Sequence, residues 1–518
     1  MLRSTNVING FVNEARMSNS TNVINGLVNG HVNNRTANLL DNRYGLVNGH
    51  LNAPNFQNQN TLRILMFPWL AHGHISPFLE LAKKLANTQN FIVYICSTPI
   101  NLTSVKKKIE EGSNSSSIKF VELHLEETTS LPSCFHTTNG LPPHLMDNLK
   151  QALKNAIPNF NNILDVLKPN LLIYDTILPW AADAAIERHI PAVDFITSSS
   201  VMTCFIFHMF NNPQGKGNDF PFIDTIHYRS YEKHHLENII ACAENPNVKK
   251  EGSIYKSSDI VLIKGMKDIE GKYSDYLSEM CGKKIILVGP LVQEPNQDDE
   301  NSFIIKWLNR KSEKSTIFIS FGSEYFLSDE ERREIAHGLE LTNVNFVWVV
   351  RFPKDSKGKK INLKDSLPEG FLTRVRNRAL VLDGWAPQAK ILEHPSIGGF
   401  VSHCGWSSIM ESMKYGVPII AMPMHIDQPI NSRFVEEVGV GIEVVRSDNG
   451  KLLKEKLAEV INKVVIKEEG KFVRERAKNM SENIALKGDE EMDEVVKEIV
   501  KVCTMSSMKK EASKINGL

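Results

Sequence analysis

Between Gly398 and Met424 the chain spells out a unit with few ways to fold. Gly398-Gly399-Phe400-Val401-Ser402-His403 is a short apolar run led by glycines, Cys404-Gly405 is a tight turn, and Ser407 to Tyr415 is helix-compatible. Gly416 and Pro418 stop the helix, and Pro418 to Met424 reads as a second buried strand. Strand, turn, helix and parallel strand make a βαβ unit, which needs helices on both faces of its sheet and so predicts an α/β fold. The turn faces the helix N-terminus, where backbone N–H groups and the helix dipole hold anions, and Ser407 and Ser408 occupy that place.

The same pattern recurs along the chain. Leu62 to Phe67 reads as a strand, followed by His72-Gly73-His74 and a helix with Ser76 as N-cap and Pro77 at its first position. Strands are expected at Phe91 to Cys96, Ile118 to Leu123, Leu171 to Tyr174 and Ala192 to Ile196, with helix around 144–167. Residues 61–290 thus read as one Rossmann-like domain. A polar stretch, Gln293 to Asn301, marks a linker over 291–305. A second domain over 306–505 opens with the strand Thr316 to Ser320, which runs into Phe321-Gly322-Ser323. Next come a capping box at Ser328 and Glu331, strands at 346–350 and 380–383, and amphipathic helices over 451–503. The 518 residues suit two such domains, with a final helix free to cross back to the first. Residues 1–58 stand apart: Ser4 to Asn13 nearly repeats at Ser20 to Asn29, and so Asn-rich a stretch reads as a disordered arm.

Sixty basic and sixty acidic residues cancel, which favours small-molecule partners over nucleic acid or an anionic membrane. Seven dispersed cysteines without a CxxC pair argue against a disulfide framework or structural zinc and fit a reducing cytoplasm. No 18-residue apolar run or signal-like N-terminus is present.

Around the βαβ unit stand groups that a phosphate alone does not require. Trp385 offers a flat apolar face for a base, and Glu411, one turn into the helix, offers a carboxylate for ribose hydroxyls. Asp427 and Gln428 follow the second strand, where they can read sugar hydroxyls. In the first domain, His74 and Asp175 lie just past two parallel strands and so reach one sheet edge. An imidazole steadied by a carboxylate is suited to proton abstraction, and on chemistry alone His72 is an equal choice.

The stretch WAPQAKILEHPSIGGFVSHCGWSSIMESMKYGVPIIAMPMHIDQ resembles the signature box of plant family 1 UDP-sugar-dependent glycosyltransferases over its whole length. The resemblance implies the GT-B fold, two Rossmann-like domains facing a cleft, with the donor held by the second. It implies that Trp385 stacks on uracil and Ala386 contacts it, that Gln388 and Glu411 bind the ribose, and that His403 and Ser408 bind the diphosphate. Trp406, Asp427 and Gln428 then face the transferred sugar, and Ser323 joins the donor set. Ser407 departs from the family pattern, which usually has Asn there. The Gly73-His74-x-x-Pro77 spacing matches the family's catalytic histidine, which selects His74 over His72, and Asp175 matches its orienting aspartate.

The chain is thereby expected to be an inverting glycosyltransferase needing neither metal nor cofactor. HGHISPFLELAKKL, CFHTTNGLPPHL, LLIYDTILPWA and HCGWSS resemble the branch that adds a sugar to a sugar already on a flavonoid, terpenoid or similar aglycone. Gln428 favours glucose as donor sugar. His136, Asn139 and His144, with segment 197–235, are expected at the acceptor site, and the enzyme is expected to be a cytoplasmic monomer. Transfer to an aglycone hydroxyl, another UDP-sugar donor, and a non-catalytic UDP-sugar-binding protein are the alternatives.

Overall fold

Runs such as Leu171-Leu-Ile-Tyr174 and Ile260-Val-Leu-Ile263 have no polar alternation, so they are stable only between two helical layers. In a computed structural model, which describes residues 61–88, 90–110, 117–215, 217–243, 252–295, 302–353, 362–487 and 490–516, they are interior strands of a parallel sheet. The arm 1–58 and residues 296–301 of the expected linker lie outside the described residues.

The first sheet contains β1 (Leu62–Phe67), β2 (Phe91–Ser97), β3 (Ile118–Glu122), β4 (Leu171–Asp175), β5 (Ala192–Ile196), β6 (Ile260–Ile263) and β7 (Lys284–Leu287), in the order β3-β2-β1-β4-β5-β6-β7. The second contains β8 (Thr316–Ser320), β9 (Asn345–Val350), β10 (Ala379–Asp383), β11 (Ile397–Ser402), β12 (Ile419–Ala421) and β13 (Gly441–Glu443), in the order β10-β9-β8-β11-β12-β13. Every pairing between these strands is parallel. The strand order reverses between β1 and β4 in one sheet and between β8 and β11 in the other. Connections leave to opposite faces at such a point, and a crevice opens beyond the strand ends. Two such crevices face each other.

Three local expectations change. The helix after β1 runs His72–Ala86, with Ala71 as its N-cap, five residues earlier than a Ser76 cap requires. The Ala71 carbonyl accepts from the backbone N–H groups of both His74 and Ile75, so the first turn closes before Pro77, which sits inside the helix. His74 therefore projects from a helical first turn, not from a loop. The 144–167 pattern divides into Met146–Asn155 and Ile157–Leu167, because Pro158 has no N–H to continue one helix but suits the start of another. Asp175 is the last residue of β4 and not the first beyond it.

The two halves are tied together. The C-terminal helix Glu490–Asn516 buries Met492, Val495, Ile499 and Val502 in the core of the first sheet's domain, beside Ile75 and Leu79. At the carboxyl end of β13, Arg229 forks onto Glu443 at 3.1 and 3.0 Å, while Arg433 pairs with Glu443 and, at 2.5 Å, with Glu232.

Candidate active site

At the end of β4 Asp175 has no exposed surface, and its carboxylate is fully engaged. Oδ2 lies 2.8 Å from His74 Nδ1 and accepts from the Trp69 backbone N–H at 3.1 Å; Oδ1 accepts from Ile177 N–H at 3.3 Å. Thr197 Oγ1 also lies 3.1 Å from His74 Nδ1. A carboxylate in this position accepts the hydrogen bond of Nδ1–H, which leaves Nε2 as the basic nitrogen. The imidazole keeps 27% of its side-chain surface exposed. Burial alone would lower its pKa, but the charge and hydrogen bond of Asp175, with smaller contributions from Glu324 and Asp427, raise it above 6.5.

His74 opens onto a cleft of about 1410 Å³ lined by both halves of the chain. From the second half come Ser323, Trp385, Ala386, Gln388, His403, Trp406, Ser407, Ser408, Glu411, Asp427 and Gln428, so all the donor-site residues expected from sequence border one cavity with His74. His72 borders it too, but the Asp175 carboxylate is bonded to His74.

Trp385, on the loop after β10, is 68% exposed and offers its ring to the cleft. Gln388, at the start of the helix Gln388–Glu393, donates its amide to Ser408 Oγ at 3.1 Å and Glu411 Oε2 at 2.7 Å, which sets these three groups as one polar rim. His403 ends β11's turn with its ring between two glycines. A Cβ on Gly322 (φ 74°) would come within 2.7 Å of its Nε2, and one on Gly405 within 2.6 Å. Burial, followed by the nearby His425, pushes His403 down to about 3, so it is neutral at physiological pH, and its Nδ1 has no hydrogen-bond partner among the described residues.

Beyond β12 the chain turns through Ile426, a β-branched residue at φ 61°, a conformation that costs on the order of 1–3 kcal/mol. It delivers Asp427, whose pKa burial pushes up to about 6 against the lowering effect of Asn431. Asn431 donates to Asp427 Oδ2 at 2.8 Å and to the Cys404 carbonyl at 3.1 Å, and accepts from Ser199 of the first half at 2.7 Å. Thr138, also from the first half, donates to Glu324 Oε1 at 2.6 Å.

Some residues sit differently from expectation. The Trp406 ring packs on Phe434 and its indole N–H donates to the Lys264 carbonyl at 2.7 Å, so little of it reaches a sugar. Gln428 spends its amide oxygen on the backbone N–H groups of Met424 and His425, both at 3.0 Å, leaving only its NH₂ for a ligand. Of the acceptor residues, Asn139 borders the cleft, whereas His136 and His144 do not. His136 is turned inward and buried, with its carbonyl accepting from Thr98, and His144 is exposed outside on a 3-10 turn. Segment 197–235 reaches the cleft only as far as Phe210; Phe220 beyond it packs edge-on against Phe205 beneath.

Sequence reasoning missed Trp180, Lys150, Ile254 and Tyr255, which line the cleft, and Lys264 behind it. Met202, Ile206, Phe207 and Phe210 form an apolar wall. Among the described residues no cluster of three or more His, Cys, Asp or Glu side chains could hold a metal ion, all seven cysteines are free thiols, and no helix is long and apolar enough to cross a membrane.

Residues 60–293 match the family described as "Glycosyltransferase, N-terminal domain", and residues 283–479 match "UDP-glucoronosyl and UDP-glucosyl transferase". Beta-D-glucosyl crocetin beta-1,6-glucosyltransferase of Gardenia jasminoides is 47% identical over 446 residues, which cover 85% of this chain and 98% of that one. Mogroside IIIx synthase of Siraitia grosvenorii is 48% identical over 449 residues, covering 86% and 93%. Among solved structures, Glycyrrhiza uralensis UGT73P12, complexed with glycyrrhetinic acid 3-O-monoglucuronide, has a TM-score of 0.73 at 24% identity and covers 88% of this chain and 98% of its own; that likeness is one of fold.

Proposed function

The chain belongs to the UDP-glucoronosyl and UDP-glucosyl transferase family, and from that premise we propose that it transfers glucose from UDP-glucose to a sugar hydroxyl of a plant specialised-metabolite glycoside, with inversion. The observation that carries the proposal is the shared cleft: an imidazole oriented by a buried carboxylate on one side, and an indole, a polar rim and a helix N-terminus on the other.

His74 Nε2 takes the acceptor hydroxyl proton as that oxygen attacks C1 of the donor sugar. The bond from C1 to the diphosphate oxygen breaks, UDP departs on the opposite face, and an α-linked donor gives a β-glycoside. Asp175 holds the Nδ1 proton and stabilises the imidazolium. Negative charge growing on the diphosphate is met by the helix N-terminus at Ser407 and Ser408, with His403 beside it and no divalent metal. Trp385 carries the uracil, and Gln388 and Glu411 the ribose; Ser323, Asp427 and the NH₂ of Gln428 meet the transferred sugar.

Residues 61–290 hold the acceptor and 306–505 the donor, joined through 291–305. A glycoside acceptor suits a cleft whose wall at Met202 to Phe210 is apolar while Asn139, Thr176 and Thr197 supply polar groups nearer His74. The Gardenia jasminoides relative acts on a glucosylated crocetin by its name, which favours the same acceptor class here. One chain supplies both sides of the cleft, which supports the reading of the enzyme as a monomer, and a cytoplasmic enzyme that uses no cofactor is proposed with it.

Mass spectrometry of UDP-glucose, UDP-glucuronate, UDP-xylose and UDP-rhamnose against paired aglycones and monoglucosides tests the proposal. Product from UDP-glucose on monoglucosides but not aglycones is expected. Product on aglycones alone overturns the acceptor class, and no product with any donor overturns the activity.

A further inference from the structure

Lys264 follows β6 in the first half of the chain, with its backbone N–H bonded to the Ile196 carbonyl and its own carbonyl accepting from Trp406. It is 2% exposed, and its Nζ donates to Ser407 Oγ at 2.9 Å, across the interface between halves. Ser407 Oγ is its hydrogen-bond acceptor among the described residues; Glu411 and Glu80 act on it only through longer-range attraction. A buried ammonium without an ion-pair partner is costly, and burial pushes Lys264 down to about 8, yet it remains charged at neutral pH.

An ammonium has three protons and no lone pair, so Ser407 can only accept from it. With a lone pair so occupied, the single Ser407 proton must point elsewhere, and Ser407 is the second residue of the helix Trp406–Lys414 and borders the cleft. We infer that Lys264 is a positioning residue that fixes the Ser407 hydroxyl as a donor to the diphosphate of the UDP-sugar and sets a positive charge one bond behind it. The diphosphate thus brings to the buried ammonium a closer negative charge than Glu411 and Glu80 supply. The inference rests on the donor site proposed above and adds a residue to it that lies outside the donor segment and in the opposite half of the molecule.

Calorimetric titration of the full chain with UDP, and with uridine in competition, separates diphosphate from base recognition. Lys264→Met is expected to weaken UDP about tenfold or more while uridine changes by no more than about twofold. Ser407→Ala should lose the same preference for UDP over uridine, with Lys264→Met adding little in that background. Ser407→Asn, whose amide donates without help, should restore UDP binding to Lys264→Met. Unchanged UDP affinity in Lys264→Met overturns the inference, as does an equal loss for UDP and uridine. Should Lys264→Met fail to fold, Ser407→Ala decides alone: an unaltered preference for UDP over uridine overturns it. A wild-type chain that binds neither ligand overturns instead the proposed donor site.

Discussion

His74 and Asp175 are 101 residues apart in sequence, yet their side chains meet at 2.8 Å because β1 and β4 are neighbours at the point where the strand order reverses. If the carboxylate's task is to hold the imidazole tautomer and stabilise its charged form, Asp175→Asn keeps the shape and loses the function. Turnover is expected to fall by about 10²–10⁴ in Asp175→Asn and His74→Ala, with UDP affinity unchanged. Near-normal transfer by His74→Ala, measured by product mass spectrometry, would move the base to His72.

The same pair fixes a pH dependence. His74 acts as a base only when neutral, and its pKa is raised, so kcat/KM should climb with pH through an apparent pKa above 6.5. Asp427 titrates close by at about 6, so the variant assigns the limb. In Asp175→Asn the raising charge is gone and burial still lowers the pKa, so the limb should move to lower pH. A limb that stays put in Asp175→Asn would show that another group controls it.

Trp385 keeps 68% of its surface exposed, so its ring contributes little to folding. Trp385→Ala should leave the melting temperature unchanged and weaken UDP by about 1–3 kcal/mol, the usual worth of a base stacked on an aromatic ring. Equal affinity in the variant, by calorimetry, would remove the base from that face.

Strands and their ends were legible because buried parallel strands are apolar runs with few alternatives: Leu62–Phe67, Ala192–Ile196 and Thr316–Ser320 fall where the sequence places them. The capping box at Ser328 and Glu331 is present because both its bonds are local. The start of the His72–Ala86 helix was not legible, since the Ala71 carbonyl does the work that a capping side chain was expected to do. Loop polarity placed His136 and His144 at the acceptor site, but composition does not tell which way a loop side chain turns. Lys264 follows an apolar strand and looks like a solvated terminus; its partner Ser407 lies 143 residues away, on a helix of the other half.

Glu443 receives two guanidinium groups, Arg229 from the first half and Arg433 from the second, with almost no exposed surface. Glu443→Ala strands two cations in the interface, and removing one partner of a buried ionic cluster costs about 3–5 kcal/mol. Denaturant unfolding should show that loss. A change below about 1 kcal/mol would mean that water or Glu436 and Glu232 absorb the charges.

A departing diphosphate needs positive charge, which many transferases take from a divalent cation. Here the N-terminal turn of Trp406–Lys414 points its N–H groups into the cleft, and Lys264 stands behind it with a buried charge. These sources are covalently part of the chain, so they cannot be removed by a chelator. Transfer from UDP-glucose is accordingly expected to persist in excess EDTA at an unchanged rate, and to gain nothing from added magnesium or manganese. Loss of activity in EDTA with recovery on manganese would assign the charge to a metal ion, and Asp427 with Glu324, two carboxylates that border the cleft and act on His74, would then be the first ligands to replace.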